Sequence, residues 1–218
     1  MVQQGRITQN EKTIESPGTI IDEENDIIKV DGAIVAPNID KIYVLLNKPK
    51  NVITSLHDPF KRKTVAHFLS KIKSRIYPVG RLDFDTDGVL LMTNDGEMAF
   101  RLAHPKYEVE KVYSVIVEGP VTTDDIKTIA KGIKLQDGHK ARARADIVKS
   151  SFRTTKLTIM LTEGRKREIK QIFKNIGHPV INLRRVKFAG IKAGDLKPGK
   201  WRYLEEDEVN QLRNLVGL

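Results

Sequence analysis

The sequence predicts an α+β protein with a mainly antiparallel mixed sheet flanked by helices, and three observations carry that expectation. Short apolar or alternating runs of strand length recur along the chain. Helical spacings lie between them, without the strict strand-helix-strand alternation that a wound parallel sheet needs. Finally, 218 residues suffice for one well-buried core plus a small appendage.

Residues 6–40 hold short β-like pieces, Arg6-Ile7-Thr8, Thr19-Ile20-Ile21 and Ile27-Ile28-Lys29-Val30, separated by the turn formers Pro17-Gly18 and Asp31-Gly32. Such a segment is too small to hold a core alone, so 1–40 and 41–218 are read as separate domains. Strands are expected at 42–46, 88–93, 111–118, 156–161 and 180–187. The run Gly88-Val89-Leu90-Leu91-Met92-Thr93 fits a strand buried on both faces. In 111–118 the period is two, with Tyr113, Val115 and Val117 on one face. Helices interleave. Thr64 can cap a segment carrying Val65, Phe68, Leu69 and Ile72, and Asn94 or Asp95 can cap one carrying Met98, Leu102 and Ala103. Thr123-Asp124-Asp125 opens a third helix that Gly132 closes. The fourth, around 166–176, aligns Ile169, Ile172, Phe173 and Ile176 opposite a basic side, with Gly177 as its stop. A last helix at 205–215 is expected to dock through Val209, Leu212 and Leu215.

The chain carries 38 Lys plus Arg against 28 Asp plus Glu, a formal net charge of +10. That excess favours a polyanionic partner, and its spread in many small clusters describes a surface, not a tail. The absence of cysteine excludes disulfides, thiolate metal sites and cysteine nucleophiles. No apolar stretch approaches the roughly 18 residues of a membrane span, and Met1-Val2-Gln3-Gln4-Gly5-Arg6 lacks the apolar core of a signal peptide. A cytoplasmic protein without membrane contact is expected.

Chemistry concentrates in Gly80-Arg81-Leu82-Asp83-Phe84-Asp85-Thr86-Asp87-Gly88. Asp83 falls on the rim of the sheet, ahead of the buried strand. Asp85-Thr86-Asp87-Gly88 offers side chains that bond local backbone, so the loop can hold an acid rigidly outward. The bland alternative is that Asp83 pairs with Arg81 or merely closes a turn. A calcium loop fits poorly: counted from Asp83, the twelfth position is Asn94 and the middle is Val89, Leu90 and Leu91.

Beyond this loop, ordered blocks run through residues 42–218. They are Leu46-Asn47-Lys48-Pro49 with Thr54-Ser55, Tyr77-Pro78-Val79-Gly80-Arg81-Leu82-Asp83 with Thr86, Gly88, Leu90 and Leu91, Thr93-Asn94-Asp95-Gly96, His104-Pro105 and Glu110-Lys111-Val112-Tyr113. They continue with Glu163-Gly164-Arg165 plus Arg167, Ile169 and Lys170, Gly177-His178-Pro179-Val180, Leu183-Arg184-Arg185 and Leu196-Lys197-Pro198-Gly199-Lys200-Trp201. With these blocks the chain resembles the bacterial ribosomal-RNA pseudouridine synthases of the RsuA type, which isomerise a uridine already in RNA. Gly5-Arg6-Ile7-Thr8-Gln9-Asn10, Pro17-Gly18-Thr19 and Ile27-Ile28-Lys29-Val30-Asp31-Gly32 resemble the strand half of the small S4 RNA-binding module. The helices that should precede it are missing, as in a shortened form or one that has lost its helical half.

The resemblance implies the pseudouridine synthase fold, an active-site cleft across the sheet, and Asp83 as a nucleophile toward uracil C6 or ribose C1′. A carboxylate can form and later release a bond to carbon without a cofactor. Lys170 aligns with the family's basic partner of that acid, and Tyr113 with the tyrosine that stacks on the base and handles the C5 proton. Ile169 would supply the opposite apolar face. Arg81 would enter the helix in place of the extruded base, offsetting part of the few kcal/mol that extrusion costs. Lys48, Arg165, Arg167, Arg184 and Arg185 are expected as phosphate contacts, which position RNA without reading its sequence. Asn51 stands where the family often has Gly, Glu168 in place of a more frequent Gln, and Gln171 in place of a basic residue. The implied substrate is 23S ribosomal RNA, free or in an assembling particle, handled by a monomer with no cofactor or metal. The small-subunit 16S RNA is the alternative target, and a catalytically idle RNA-binding or ribosome-assembly protein is the alternative class.

Overall fold

The computed structural model describes residues 1–22, 25–35 and 40–218, and these divide into two units, Met1–Asp40 and Lys41–Leu218. In the first, β1 (Ile7–Gln9), β2 (Lys12–Thr13), β3 (Ile28–Val30) and β4 (Ala33–Ile34) form an antiparallel sheet in the order β2-β1-β3-β4. Both of its tight turns, Asn10-Glu11 and Asp31-Gly32, place two successive residues at positive φ, the geometry that matches strand twist in a two-residue hairpin. Arg6 closes on Asp31 at 2.5 Å. Thr19-Ile20-Ile21, expected as β-like, forms no strand, and Ile20 is 91% exposed. A β-prone triplet without a neighbouring strand has nothing to complete its hydrogen bonds.

The second unit contains, in order, β5 (Tyr43–Lys48), β6 (Tyr77–Pro78), β7 (Asp87–Thr93), α1 (Gly96–Ala103), β8 (Lys111–Glu118), α2 (Thr123–Lys131), β9 (Ile133–Lys134) and β10 (Lys140–Ala141). It continues with β11 (Arg144–Ser150), β12 (Thr154–Leu161), α3 (Glu168–Asn175), β13 (Val180–Phe188), β14 (Ile191–Lys192), β15 (Trp201–Tyr203) and α4 (Glu206–Val216). The large sheet runs β11-β12-β8-β13-β7-β5-β15, with β14 beside β13 and β6 beside β7, while β9 and β10 form a separate hairpin. One pair in the large sheet is parallel: β7 lies along β13, with Asp87 opposite Arg184 and Gly88 opposite Arg185.

Helices on both faces explain why β5 and β7 are buried throughout. On one face Leu46, Leu90, Tyr113, Val115 and Leu157 pack with Ile169, Ile172 and Phe173 of α3. On the other, Leu45, Val89 and Leu91 pack with Met98 and Leu102 of α1 and Leu212 and Val216 of α4. Asp95, not Asn94, caps α1 by accepting from the Met98 N–H at 3.1 Å.

Two expectations are corrected, and strands form where none is expected. The helix expected after Thr64 is a short 3-10 turn, Val65–Phe68, followed by further three-residue turns that donate from Leu69 to Ala66 and from Ile72 to Leu69. Apolar residues three apart suit both helix types, so spacing could not separate them. In α4 it is Val216, not Leu215, that docks, and Leu215 is 49% exposed. The series 209, 212, 216 holds one stripe where 209, 212, 215 drifts off it. Strands β11 and β15 were not expected: Ala145 alone is buried in β11, and β15 is three residues long and pairs with the distant β5.

Candidate active site

The loop carrying Asp83 enters the sheet at its parallel seam, where β7 begins at Asp87. Its backbone is clipped from three directions. The Lys48 ammonium, at the end of β5 and wholly buried, donates to the carbonyls of Asp83 (3.1 Å), Thr86 (2.8 Å) and Pro49 (3.1 Å). Thr54 Oγ1 donates to Leu82 O at 2.8 Å and accepts from the Leu82 N–H at 3.2 Å. Asn51, in the left-handed region at φ 61°, donates its N–H to Phe84 O at 2.7 Å. Asn tolerates that conformation better than most residues, so the turn survives without Gly.

Rigidity therefore comes from partners far along the chain. The side chains of the loop are directed mainly away from its backbone: Asp85 and Asp87 form ion pairs, and Thr86 Oγ1 is buried without a partner.

Asp83 faces α3 rather than Arg81. Lys170 Nζ lies 3.2 Å from Asp83 Oδ2 and 2.5 Å from Asp85 Oδ1. Partial burial opposes ionisation of Asp85, but the hydrogen bond and charge of Lys170 prevail and hold its carboxyl below the usual range. The amphipathic α3 makes this possible, because Ile169, Ile172 and Phe173 bury its apolar stripe and leave Lys170 on the flank. Asp83, Tyr113 and Ile169 line one cleft, joined by Arg81, Arg165 and Arg167. Tyr113 arrives there by strand parity, on the buried face with Val115 and Val117. Arg167 caps α3 in the left-handed conformation at φ 54°, a strained choice for a residue with a side chain. A carboxylate salt-bridged to an ammonium, beside an aromatic ring and an aliphatic wall, can bind a flat base and attack it.

The basic residues expected to meet RNA separate. Arg81 and Arg167 are exposed and form no ion pair or side-chain hydrogen bond among the described residues. Arg165 is engaged by Glu163 and Asp137, each at 3.1 Å. Lys48, Arg184 and Arg185 already have partners within the protein. Lys48 spends its ammonium on carbonyls, Arg184 is tied to Asp87 at 2.5 Å, and Arg185 is buried with Nε donating to Val89 O at 2.7 Å. Lys48 closes β5 and Arg185 lies within β13, both buried, while Arg184 is partly exposed on β13 and held by its ion pair.

Two further cleft residues, Lys111 and Glu168, went unrecognised as site residues. Burial pushes the Lys111 ammonium down to about 8, helped by the charge of Arg185 and opposed by Glu168. Burial also raises the Glu168 carboxyl, against the hydrogen bond it accepts from the Arg165 N–H at 2.9 Å. The available signal was parity: Lys111 shares the buried face of Tyr113, an unusual place for a lysine.

Comparison with known proteins agrees with this geometry. The family model described as RNA pseudouridylate synthase matches residues 42–175. An uncharacterised RNA pseudouridine synthase of Aquifex aeolicus is 41% identical, covering 100% of this chain and 88% of that protein. The ribosomal large subunit pseudouridine synthase B of Bacillus subtilis is 38% identical, covering 99% of this chain and 88% of its own length. A crystal structure of a pseudouridylate synthase superposes with a TM-score of 0.74 at 27% identity, over 97% of this chain and 90% of that one. With the sheet, the cleft and the sequence matches in accord, the chain belongs to the RNA pseudouridine synthase family.

Proposed function

We propose that this enzyme isomerises one uridine of ribosomal RNA, in the large-subunit 23S molecule, with Asp83 as the nucleophile. The observation that carries the reading is the Asp83 carboxylate, salt-bridged to Lys170, in a cleft shared with Tyr113 and Ile169. The similarity to the ribosomal large subunit pseudouridine synthase B of Bacillus subtilis supports the large-subunit target.

Asp83 attacks uracil C6 or ribose C1′. The N1–C1′ bond breaks, the base turns, C5 bonds to C1′, the Asp83 bond to C6 or C1′ breaks to free the carboxylate, and the C5 proton is lost while N1 gains one. Atoms balance without any redox change. Lys170 orients the carboxylate and balances its charge. Tyr113 stacks on the base and receives the C5 proton, Ile169 closes the opposite face, and Arg81 fills the gap left in the RNA. Arg165 and Arg167 contact phosphate. Residues 1–40 act as an S4-like RNA-binding module. The enzyme works as a cytoplasmic monomer, and no helix among the described residues is long and apolar enough to cross a membrane.

The test is to incubate the chain with unmodified 16S and 23S transcripts and map pseudouridine by carbodiimide-dependent reverse-transcription stops. One new stop in 23S is expected, lost in Asp83→Asn while RNA binding persists. A stop in 16S instead reassigns the target. A stop that survives Asp83→Asn removes the nucleophile. Modification only of RNA in assembling particles would make the particle the substrate.

A further inference from the structure

Lys48, Lys111 and Arg185 are buried beneath the cleft, at 0%, 6% and 2% exposure. Lys48 is committed to three carbonyls. Lys111 donates to Val109 O at 2.8 Å and Thr162 O at 2.9 Å. Arg185 is different. Its Nε is used on Val89 O and its guanidinium lies 4.7 Å from the centre of the Phe188 ring, yet Nη2 is buried with no hydrogen-bond partner. A buried charged donor left unpaired costs more than an ordinary hydrogen bond returns, so in a functional cleft it calls for a ligand acceptor.

Strand register fixes where this donor sits. Arg185 of β13 is directly opposite Tyr113 of β8 and, on its other side, opposite Gly88 of β7. Gly88 has φ 113°, and a Cβ there would fall 2.1 Å from Arg185 O, so glycine alone lets these strands meet. Arg185 consequently lines the same cleft as Asp83, Tyr113 and Ile169. Of the cleft's two carboxylates, Asp83 is salt-bridged to Lys170 and Glu168 accepts from the Arg165 N–H.

We propose that Arg185 is a catalytic residue whose Nη2 donates to a carbonyl oxygen of the flipped uracil and stabilises the negative charge arriving there. The inference rests on the cleft being the uridine site. It holds for either route of attack. If the Asp83 oxygen bonds to C6, the C5–C6 π pair moves toward C4 and O4 becomes the anion. If it bonds to C1′, the N1–C1′ pair stays on the departing base and spreads over O2 and O4. Either way charge develops on a ring oxygen, and a donor already desolvated stabilises it with little reorganisation. Lys111, lining the same cleft, adds a second positive charge.

The experiment uses an RNA hairpin carrying the mapped uridine, or 2-thiouridine or 4-thiouridine in its place, with wild type and Arg185→Lys under single-turnover conditions. Sulfur is the weaker acceptor. Wild type is expected to slow about 10-fold with one of the two thio substitutions, and Arg185→Lys to slow about 100-fold on the normal hairpin. In the variant the same sulfur should add less than about 2-fold, because the interaction it weakens is already gone. Equal sulfur effects in both proteins overturn the proposal. So does a wild type indifferent to both sulfurs, a measurement that does not need the variant to fold. Failure of the underlying reading is separable: if Asp83→Asn remains active, the uridine-site assignment falls, whereas an inactive Asp83→Asn with additive sulfur effects removes only Arg185. A wild type that modifies no RNA overturns both.

Discussion

The basic residues beneath the cleft and those around it share chemistry but not circumstances. Lys48, Lys111 and Arg185 lie in strands and are buried. Arg81 and Arg167 lie in the loop before β7 and at the cap of α3, and both are exposed. A buried cation must be paid for by fixed partners, so it ends up defining geometry. A solvated cation keeps its reach and attracts a polyanion at a distance, with an effect that salt screens. Net charge alone counts both groups equally, although only the second is free to meet phosphate.

Lys170 stands between the two groups, because its side chain is only 19% exposed while its ammonium bridges Asp83 and Asp85. Lys170→Met is therefore expected to have the largest effect: a fall of about 100-fold or more in the single-turnover rate, from a carboxylate no longer held in place. RNA affinity should change by less than about 3-fold, since one half-buried ammonium already committed to two carboxylates adds little to phosphate binding. Lys170→Arg should recover part of the rate. A variant that loses affinity and rate in equal measure would move Lys170 into the RNA-attracting group.

Lys48 tests the buried group. Lys48→Met removes the clip on Asp83 O and Thr86 O, and a loss of about 10-fold in rate is expected at unchanged RNA affinity. A second readout is the pH dependence of stability. Burial lowers both Lys48 and Lys111 to about 8 in the folded protein, against roughly 10.4 in an unfolded chain. Between those values the unfolded state binds more protons, so both groups penalise folding below pH 8 and the penalty lifts as pH rises toward about 10. Urea midpoints at pH 7 and pH 10 should show stability from these lysines increasing with pH, and Lys48→Met should lose about half of that increase. An unchanged increase would mean that Lys48 is not a charged buried group.

Much of this arrangement was legible in the sequence. The run from Gly88 to Thr93, the parity of Tyr113 with Val115 and Val117, and the stripe of α3 each state a period that one dominant core enforces. Asp83 and Lys170 were legible as a pair through the resemblance, although 85 residues and more separate Lys170 from the loop it grips. What was not legible depends on contacts with no local period. Lys48 reads as the charged end of a strand until the loop at 83–86 is folded over it. Arg184 and Arg185, adjacent and alike in sequence, point to opposite sides of β13, one to Asp87 and one to the cleft. Neighbours on a strand alternate faces, but only the partner strands decide which face is wet.

The smallest effects are expected from the exposed group, and they sharpen the comparison most directly. Arg81→Ala and Arg167→Ala should each weaken RNA binding a few-fold and lower the slope of log affinity against log salt by about 1, one phosphate contact's worth. Arg184→Ala is the control in the same sequence class: its guanidinium is held by Asp87 and by Asn47 Oδ1 at 3.3 Å, so its slope should stay at the wild-type value. Titrations of the hairpin at several salt concentrations distinguish the two. Equal slope losses in all three variants would show that an ion pair with Asp87 opens to meet phosphate, and burial would then no longer separate the cations that shape the cleft from those that draw RNA to it.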